Sequence, residues 1–300
     1  MKNCAVCNAP VGSAYARNEW KESICVAHAG LPGCLWCGSH RALQEQNGIF
    51  ACQPCRDTET DSNEKVARCV EDVLRWYQMV IGPHRLDDVS VSYGGLTVPP
   101  PGGGTLGWTN AQWRGNAGHA EILTVPFVPE AALHQILAHE FAHVVLILEP
   151  STFRPHGRIP SDELIVEGSC EVFAHEYLLH RGDDMSTRLA ERIERNPHPV
   201  YGDGYRGSSR DLQRLGGLAD LLAERTGWVK PSNLTGSGAN GPAMPPVAPV
   251  RPRNIVVPRP DERVTREHRP VIEMKPAQPA ARPAPSPDAT RPVIRMKPPR

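Results

Sequence analysis

The feature that most constrains this 300-residue chain is the spacing of its cysteines. Seven of the nine lie in the first 55 residues, arranged as Cys-x2-Cys or Cys-x2-His pairs. This segment has no long apolar run, so a bound metal must replace the missing hydrophobic core. In a cytosolic chain, paired cysteines favour metal ligands over disulfides. The spacing therefore predicts a small zinc-binding module at residues 1–56.

The four pairs make two complete ligand sets. Seventeen residues separate the first pair from the second, and 14 separate the third from the fourth, so two pairs can close around each tetrahedral Zn²⁺. No position is left open for water, so we expect two structural ions whose binding contributes folding free energy. The predicted ligands are Cys4, Cys7, Cys25 and His28 for one ion and Cys34, Cys37, Cys52 and Cys55 for the other.

Other interpretations of this module fit less well. His28 cannot pair with a thiol, which argues against disulfides, and His40 is a substitute ligand that we do not favour. Residues 1–56 hold few Lys or Arg and no basic stripe, so we expect protein partners and no nucleic acid. The lone Cys69 and Cys170 are expected to act as small buried hydrophobic side chains.

The balance of charge divides the chain at residue 228. The whole chain has 33 basic and 33 acidic residues, but residues 1–228 hold 20 and 28, net −8, and residues 229–300 hold 13 and 5, net +8. More than half of the 31 prolines fall in that second part. Such a composition cannot bury enough apolar surface to offset its ordering entropy. Residues 229–300 are therefore predicted to be a disordered tail.

The tail contains a repeat, "RPVIEMKP" at 269–276 and "RPVIRMKP" at 291–298. Two similar apolar and basic octamers are typical of docking peptides that bind one partner with avidity. Slippage within a proline-rich gene segment, with no binding role, explains the repeat equally well.

The N-terminal sequence has no apolar core of a secretory signal, and no segment reaches about 18 uncharged apolar residues. We therefore expect a cytoplasmic protein with no membrane partner.

Between module and tail, residues 63–228 read as an α+β domain. Val66, Val70, Val73, Leu74, Tyr77 and Ile81 recur at helical spacing in the stretch 63–81. Alternating segments at 88–94 and 119–127 predict strands of a small antiparallel sheet, joined by a long loop or a Gly- and Pro-rich hairpin. Helices are then predicted at about 130–149, 161–181 and 185–195, followed by a glycine-rich turn and a last helix at about 208–226.

The stretch "ILAHEFAHVVLIL" contains the H-E-x-x-H pattern at residues 139–143. On a helix, His139 and His143 lie one turn apart on the same face, where both can bind one Zn²⁺, and Glu140 can reach a nearby water. Two buried histidines and a surface glutamate would be the ordinary alternative. The helix leaves almost no polar side, however, and an unpaired buried carboxylate is costly. A bound metal resolves the conflict.

A catalytic zinc takes a third protein ligand and keeps one position open. The stretch "PSDELIVEGSCEVFAHEY" predicts a helix capped by Ser161, in which Gly168 permits close approach to the preceding helix. We choose Glu167 as third ligand because its neighbours are apolar. Glu171 is then placed to accept a hydrogen bond from a ligating histidine, and the two glutamates exchange roles if Glu171 is the ligand. His175 continues the stripe as an outer hydrogen-bond partner or a core residue.

These motifs resemble known peptidases. H-E-x-x-H followed about two dozen residues later by Glu-x3-acid is similar to the gluzincin metallopeptidases. More narrowly, "ILAHEFAHVVL", "VEGSCEVFAHEYL" and "YGDGYR", after a LIM-like double finger, resemble the plant DA-one family of ubiquitin-activated peptidases and its bacterial relatives. The resemblance covers about residues 30–220. It implies a zincin-type fold, zinc ligands His139, His143 and Glu167, and Glu140 as catalytic acid and base.

The expected function is therefore a zinc endopeptidase whose fingers and tail recruit partners. Candidates for stabilising the oxyanion lie in "HPVYGDGYR": His198, Tyr201, Tyr205 and Arg206, of which we choose Tyr205 and Arg206. The strand at 119–126 is a candidate edge for substrate. The alternative is a zinc-stabilised adaptor that has lost catalysis.

Overall fold

The cysteine-rich segment folds as two β-hairpins, each followed by a helical turn. The computed structural model describes residues 2–18, 20–46, 49–82, 89–96, 105–114, 117–153, 162–227 and 254–256. The hairpin strands are β1 (Tyr15–Arg17) with β2 (Ser23–Cys25) and β3 (Leu43–Gln46) with β4 (Ile49–Cys52). A 3₁₀ turn at Val26–His28 follows β2, and helix α1 (Gln53–Asp57) follows β4. Each turn carries the last predicted ligand of its set.

Helix α2 (Asn63–Ile81) has the predicted bounds. It begins where the Ser62 hydroxyl accepts a hydrogen bond from the Lys65 N–H and ends at Gly82, whose φ of +85° stops the helix. All six residues of the predicted apolar stripe are buried. The Tyr77 hydroxyl donates to the Ala138 carbonyl at 2.6 Å, which fixes α2 against the helix that carries the H-E-x-x-H pattern.

The central sheet is mixed, so the prediction of an antiparallel sheet is wrong. Its strands are β5 (Val89–Tyr93), β6 (Gly107–Arg114), β7 (Ala117–Thr124) and β8 (Asn254–Val256), in the order β6-β7-β5-β8. β6 and β7 form an antiparallel hairpin, but β7 pairs parallel with β5, so the strand predicted as a substrate edge lies inside the sheet. The connection of residues 94–106 is long enough to place β6 one position away from β5. β7 then folds back into the gap and runs in the same direction as β5.

The fourth strand of this sheet comes from the predicted tail. Asn254–Val256 pairs parallel with β5, with Ile255 opposite Val91. This strand corrects the prediction of a wholly disordered tail at these three residues. Its cause is the β-branched pair Ile255-Val256 in an otherwise proline-rich segment. The rest of residues 229–300, including both octamers, lies outside the described part of the chain.

Five further helices, of which the first packs on the sheet and the others pack on the first and on one another, confirm the α+β class. Three start within two residues of their predicted positions, and the predicted last helix is two helices. Their bounds are α3 (Glu130–Phe153), α4 (Glu163–Arg181), α5 (Asp184–Glu194), α6 (Tyr201–Leu215) and α7 (Leu218–Thr226). The cap of α4 is the Asp162 carboxylate, which accepts from the Leu164 N–H at 3.0 Å. The predicted cap, Ser161, lies outside the described residues.

The glycine-rich segment predicted as a turn is the first half of α6. Gly168 of α4 faces Gly204 of α6 so closely that a Cβ on Gly168 would collide with the Gly204 backbone. A Cβ on Gly204 would lie 2.6 Å from the Leu164 carbonyl oxygen. Gly168 therefore permits the close approach of α4 to α6, whereas the prediction assigned it to the approach of α4 to α3. Close packing of the two helices offsets the cost of about 1 kcal/mol that each glycine adds to a helix.

Helix α3 is the central element of the core. Glu130–Leu148 is long and apolar enough to span a membrane by length and composition, but 78% of that window is buried inside the fold. The Tyr77 ring stacks on Phe173 of α4 with centroids 5.4 Å apart, and Tyr77 also contacts Phe141 at 6.2 Å. α3 is thus enclosed by α2 and α4, which fixes the rotation of its histidines.

Candidate metal centres and active site

The first cysteine set comes together in space. The donor atoms of Cys4, Cys7, Cys25 and His28 all lie within 4.8 Å of one another. The 3₁₀ turn after β2 points His28 Nδ1 at the sulfurs of Cys25, 3.2 Å away, and Cys4, 3.6 Å away. Burial raises the pKa of Cys4, but backbone N–H donors of Cys25 and Cys7 and the His28 side chain lower it to about 5. A thiolate of this kind is a ready metal ligand.

The second set is fully buried. The sulfurs of Cys34, Cys37, Cys52 and Cys55 lie within 4.8 Å of one another, with Cys37 and Cys52 3.5 Å apart. Tetrahedral Zn–S bonds of about 2.3 Å would put sulfurs about 3.8 Å apart, so the set fits zinc. Contact with Cys37 lowers the pKa of Cys34, and contact with Cys34 raises the pKa of Cys37. Four such thiols cannot all ionise without a cation between them.

His40 is not part of either set. Its Nε2 donates to the Leu31 carbonyl at 3.1 Å, its Nδ1 lies 3.0 Å from the Asn18 amide nitrogen, and its backbone N–H donates to Glu22. His40 therefore joins the two fingers by hydrogen bonds, which agrees with leaving it out of the predicted ligands.

Helices α3 and α4 bring the three predicted catalytic ligands together. His139 Nε2 and His143 Nε2 are 3.2 Å apart. Glu167 Oε2 lies 3.1 Å from the first and 3.5 Å from the second. Bonds of about 2.0–2.1 Å from zinc to nitrogen or oxygen put tetrahedral donor atoms about 3.3 Å apart. The three atoms therefore fit the edges of a zinc coordination tetrahedron.

Glu171 lies on the other side of the His139 ring. Its Oε1 is 3.3 Å from His139 Nδ1, which leaves Nε2 directed at Glu167 and His143. Burial alone would lower the pKa of His139, but hydrogen bonds to Glu167 and Glu171 raise it well above its usual value. The buried carboxylates thus favour a positive charge at this point, which a bound cation supplies.

Cys170 is a competing third donor. Its sulfur is within 4.8 Å of donor nitrogens of His139 and His143, and its side chain is fully buried. Burial raises the pKa of Cys170 well above its usual value, whereas the histidines lower the pKa of Glu167 to about 2 against the effect of burial. Glu167 lies 3.1 and 3.5 Å from the two nitrogens and is already ionised, so we favour it as the ligand.

Separate substitutions distinguish the two donors. Loss of a residue that only hydrogen-bonds to a metal ligand weakens metal binding by about 10–100-fold. We expect Glu167→Ala to weaken zinc binding at this site by more than that. Cys170→Ala should change it by less than about tenfold, because the thiol is a packing residue. Zinc affinity is measured by competition with a chromogenic chelator. The reverse order of the two effects would make Cys170 the ligand.

Glu140 is held by strand β6. It is buried, and its Oε2 accepts a 2.6 Å hydrogen bond from the Thr109 hydroxyl. Gly107 passes so close that a Cβ there would lie 2.6 Å from Glu140 Oε1. Thr109 was not singled out from the sequence, because it lies in a polar strand with no motif. A search for hydroxyl residues on strands next to the H-E-x-x-H helix could have found it.

The structure does not bring Tyr205 and Arg206 to the site. The Tyr205 ring packs on His175, 5.0 Å away, and His175 in turn contacts Glu194 on α5. Arg206 donates to the Asn196 carbonyl and pairs with Asp203. The segment is helical, so Tyr205 lies one turn beyond Tyr201 and packs against α4 through His175, outside the residues that line the cavity.

Tyr201, the first residue of α6, is the candidate that does reach the site. Its ring is 6.3 Å from the His139 ring and 5.1 Å from the His198 ring, and 37% of the residue is exposed. Burial and the carboxylates of Glu167 and Glu171 raise the pKa of Tyr201 to about 12. Its hydroxyl therefore keeps its proton at neutral pH and can donate a hydrogen bond.

His139, Glu140, Glu171 and Tyr201 line one cavity of about 400 Å³. Other lining residues come from β6, α5 and the second finger. The volume is in the range of small-molecule and peptide side-chain pockets. Comparison of the chain with family models, curated proteins and solved structures finds no match. A functional proposal therefore rests on the sequence motifs, the donor atoms and this cavity.

Proposed function

We propose that the chain is a zinc-dependent endopeptidase. The observation that carries the proposal is the arrangement of His139, His143 and Glu167, whose donor atoms lie within 3.5 Å of one another. The two finger sets offer four donors each, as structural zinc sites do. The site between α3 and α4 offers three donors, which leaves one coordination position of zinc for water and substrate, as in catalytic zinc sites.

Zinc held by these three residues would supply Lewis-acid polarisation of the scissile carbonyl and activation of a water. Glu140 acts as the proton carrier: it accepts a proton from the attacking water and donates it to the leaving amine. Thr109 fixes the Glu140 carboxylate on the cavity side through its 2.6 Å hydrogen bond. Glu171 holds the His139 ring in the orientation that directs Nε2 to the metal.

Tyr201 is proposed as the donor to the carbonyl oxygen as negative charge develops on it. Tyr201→Phe is expected to lower kcat by about 100-fold with little change in zinc content, because one preorganised donor is lost. Tyr205→Phe is the matched control, since Tyr205 packs on His175 away from the cavity. Steady-state kinetics on a cleaved peptide measure both. Equal rates for wild type and Tyr201→Phe would remove Tyr201 from the mechanism.

The same proposal places the chain near the LIM-like gluzincins of the DA-one type, in the cytoplasm, with protein substrates. Its support is the coincidence of two finger sets, the H-E-x-x-H helix and a following Glu-x3-Glu in one chain. Binding of a partner by the octamers of the tail remains part of the proposal.

A cleavage profile tests the proposal. Purified full-length chain is incubated with a denatured protein mixture, and new N-termini are identified by mass spectrometry with and without a zinc chelator. An endopeptidase gives new internal termini that the chelator suppresses. Their absence, together with two zinc ions per chain and not three, would favour the zinc-stabilised adaptor.

A further inference from the structure

The second finger forms part of the catalytic cavity. Leu35 and Trp36, the two residues between Cys34 and Cys37, line the same cavity as His139 and Glu140. Trp36 is 4% exposed and Leu35 is partly buried. We call this Cys34–Cys37 segment the zinc knuckle. A knuckle fixed by a zinc ion is a rigid element, so its two side chains occupy defined positions in the cavity wall.

Helix α5 holds the zinc knuckle in place. The guanidinium of Arg192 donates to the Trp36 carbonyl, and that of Arg188 stacks over the Trp20 ring at 4.8 Å. The Trp20 indole N–H in turn donates to the Cys37 carbonyl at 2.6 Å. Arg192 and the residues that follow α5 also line the cavity. The finger, α5 and the catalytic helix are therefore joined around one space.

Apolar side chains from the second finger, α3 and α5 form part of the cavity wall. The apolar lining residues are Leu35, Trp36, Leu106, Ala132, Ile136 and Ile193. Arg195, which also lines the cavity, is paired with Glu191 at 3.0 Å, which balances its charge. An apolar side chain that packs against this part of the wall leaves water without losing hydrogen bonds.

We propose that the zinc knuckle is a specificity wall, and that the cavity takes a bulky aliphatic or aromatic side chain of a peptide next to the cleaved bond. This inference rests on the proposed peptidase function and gives its substrate class. It also changes the role of the second finger, which acts within the active site in addition to any recruitment of partners.

The test separates binding from cleavage. The full chain carrying Glu140→Gln is immobilised and incubated with a random decapeptide library, and retained peptides are sequenced. One position should be enriched about tenfold for Leu, Met, Phe or Trp over Ala, and Leu35→Ala should remove most of that enrichment. Trp36→Phe keeps an aromatic ring in the core but enlarges the cavity, so it should shift the preferred peptide side chain toward larger ones. Val26→Ala is the control, because Val26 is 68% exposed and does not line the cavity.

Zinc content of three per chain in each variant shows that the finger is still folded. Unchanged enrichment in both knuckle variants, or no apolar preference at all, would overturn the inference. The wild-type chain is then given the same library. Cleavage beside the enriched position supports both proposals. A failure to cleave any peptide counts against the peptidase function alone, because the capture result still decides whether the knuckle selects apolar side chains.

Discussion

Glu140→Gln is expected to lower the rate of peptide cleavage by about 1,000-fold or more, with fold and zinc content unchanged. Glutamine keeps the size of the side chain, and its amide oxygen can still accept the hydrogen bond from Thr109. It cannot take a proton from water, and general acid–base catalysis contributes about 100- to 10,000-fold to a rate. The measurement is kcat on a peptide identified from the cleavage profile.

A matched control for Glu140→Gln is Glu64→Gln. Glu64 is an exposed carboxylate in the first turn of α2, outside the residues that line the cavity. Its substitution should leave kcat within about twofold and alter stability by at most about 1 kcal/mol, the usual size of a helix-terminal charge effect. If Glu140→Gln also cleaves at the wild-type rate, the role of Glu140 as proton carrier is wrong.

Cys52→Ala is expected to release the second finger zinc and unfold the finger. Structural zinc contributes about 10–16 kcal/mol of apparent binding free energy in small finger domains, and three donors leave the site incomplete. The zinc knuckle then loses its anchor and the cavity loses one wall. Hydrogen exchange over residues 34–46 and 49–57 should rise to the level of an unfolded peptide, while α3 and α4 stay protected.

The control for this variant is Cys69→Ala. Cys69 is also buried, but it lies in α2 and belongs to neither of the finger sets. Its loss removes a small packing group and should leave exchange in the finger unchanged. Protection of residues 34–57 that survives in Cys52→Ala would show that the finger folds without its zinc and would contradict the assignment of this set as structural.

Features with a local chemical cause were predicted well. The helix at 63–81 has an apolar stripe, a Ser62 cap and a Gly82 stop, and its bounds agree with the structure. The spacing of His139 and His143 requires only that the segment be helical. Glu171 was placed one turn after Glu167, and its 3.3 Å contact with His139 follows from that spacing.

Features that depend on distant partners were not predictable in the same way. Gly168 and Gly204 are 36 positions apart, and only their contact explains why a glycine-rich segment is a helix. The position of Thr109 beside Glu140 depends on where the long connection places β6. The sequence analysis placed Tyr205 and Arg206 in a turn near the metal, whereas the structure places both within α6, outside the residues that line the cavity.

Nothing in the sequence around the zinc knuckle indicates that its residues line the cavity. Leu35 and Trp36 lie more than 90 residues from the H-E-x-x-H helix in the chain. Arg192 of α5, more than 150 residues later in the chain, donates a hydrogen bond to the Trp36 carbonyl and helps to hold both residues in the cavity wall. The sequence therefore separates the fingers and the α+β domain, whereas in the structure residues of both line one cavity.

The zinc content of the purified chain tests the central claim most directly. Metal analysis by mass spectrometry, on the preparation used for cleavage assays, should give three zinc ions per wild-type chain. It should give two for the variant with both His139→Ala and His143→Ala, which keeps the finger sets intact. Two zinc ions in both proteins would contradict the account, because the histidines and Glu167 would then hold no metal.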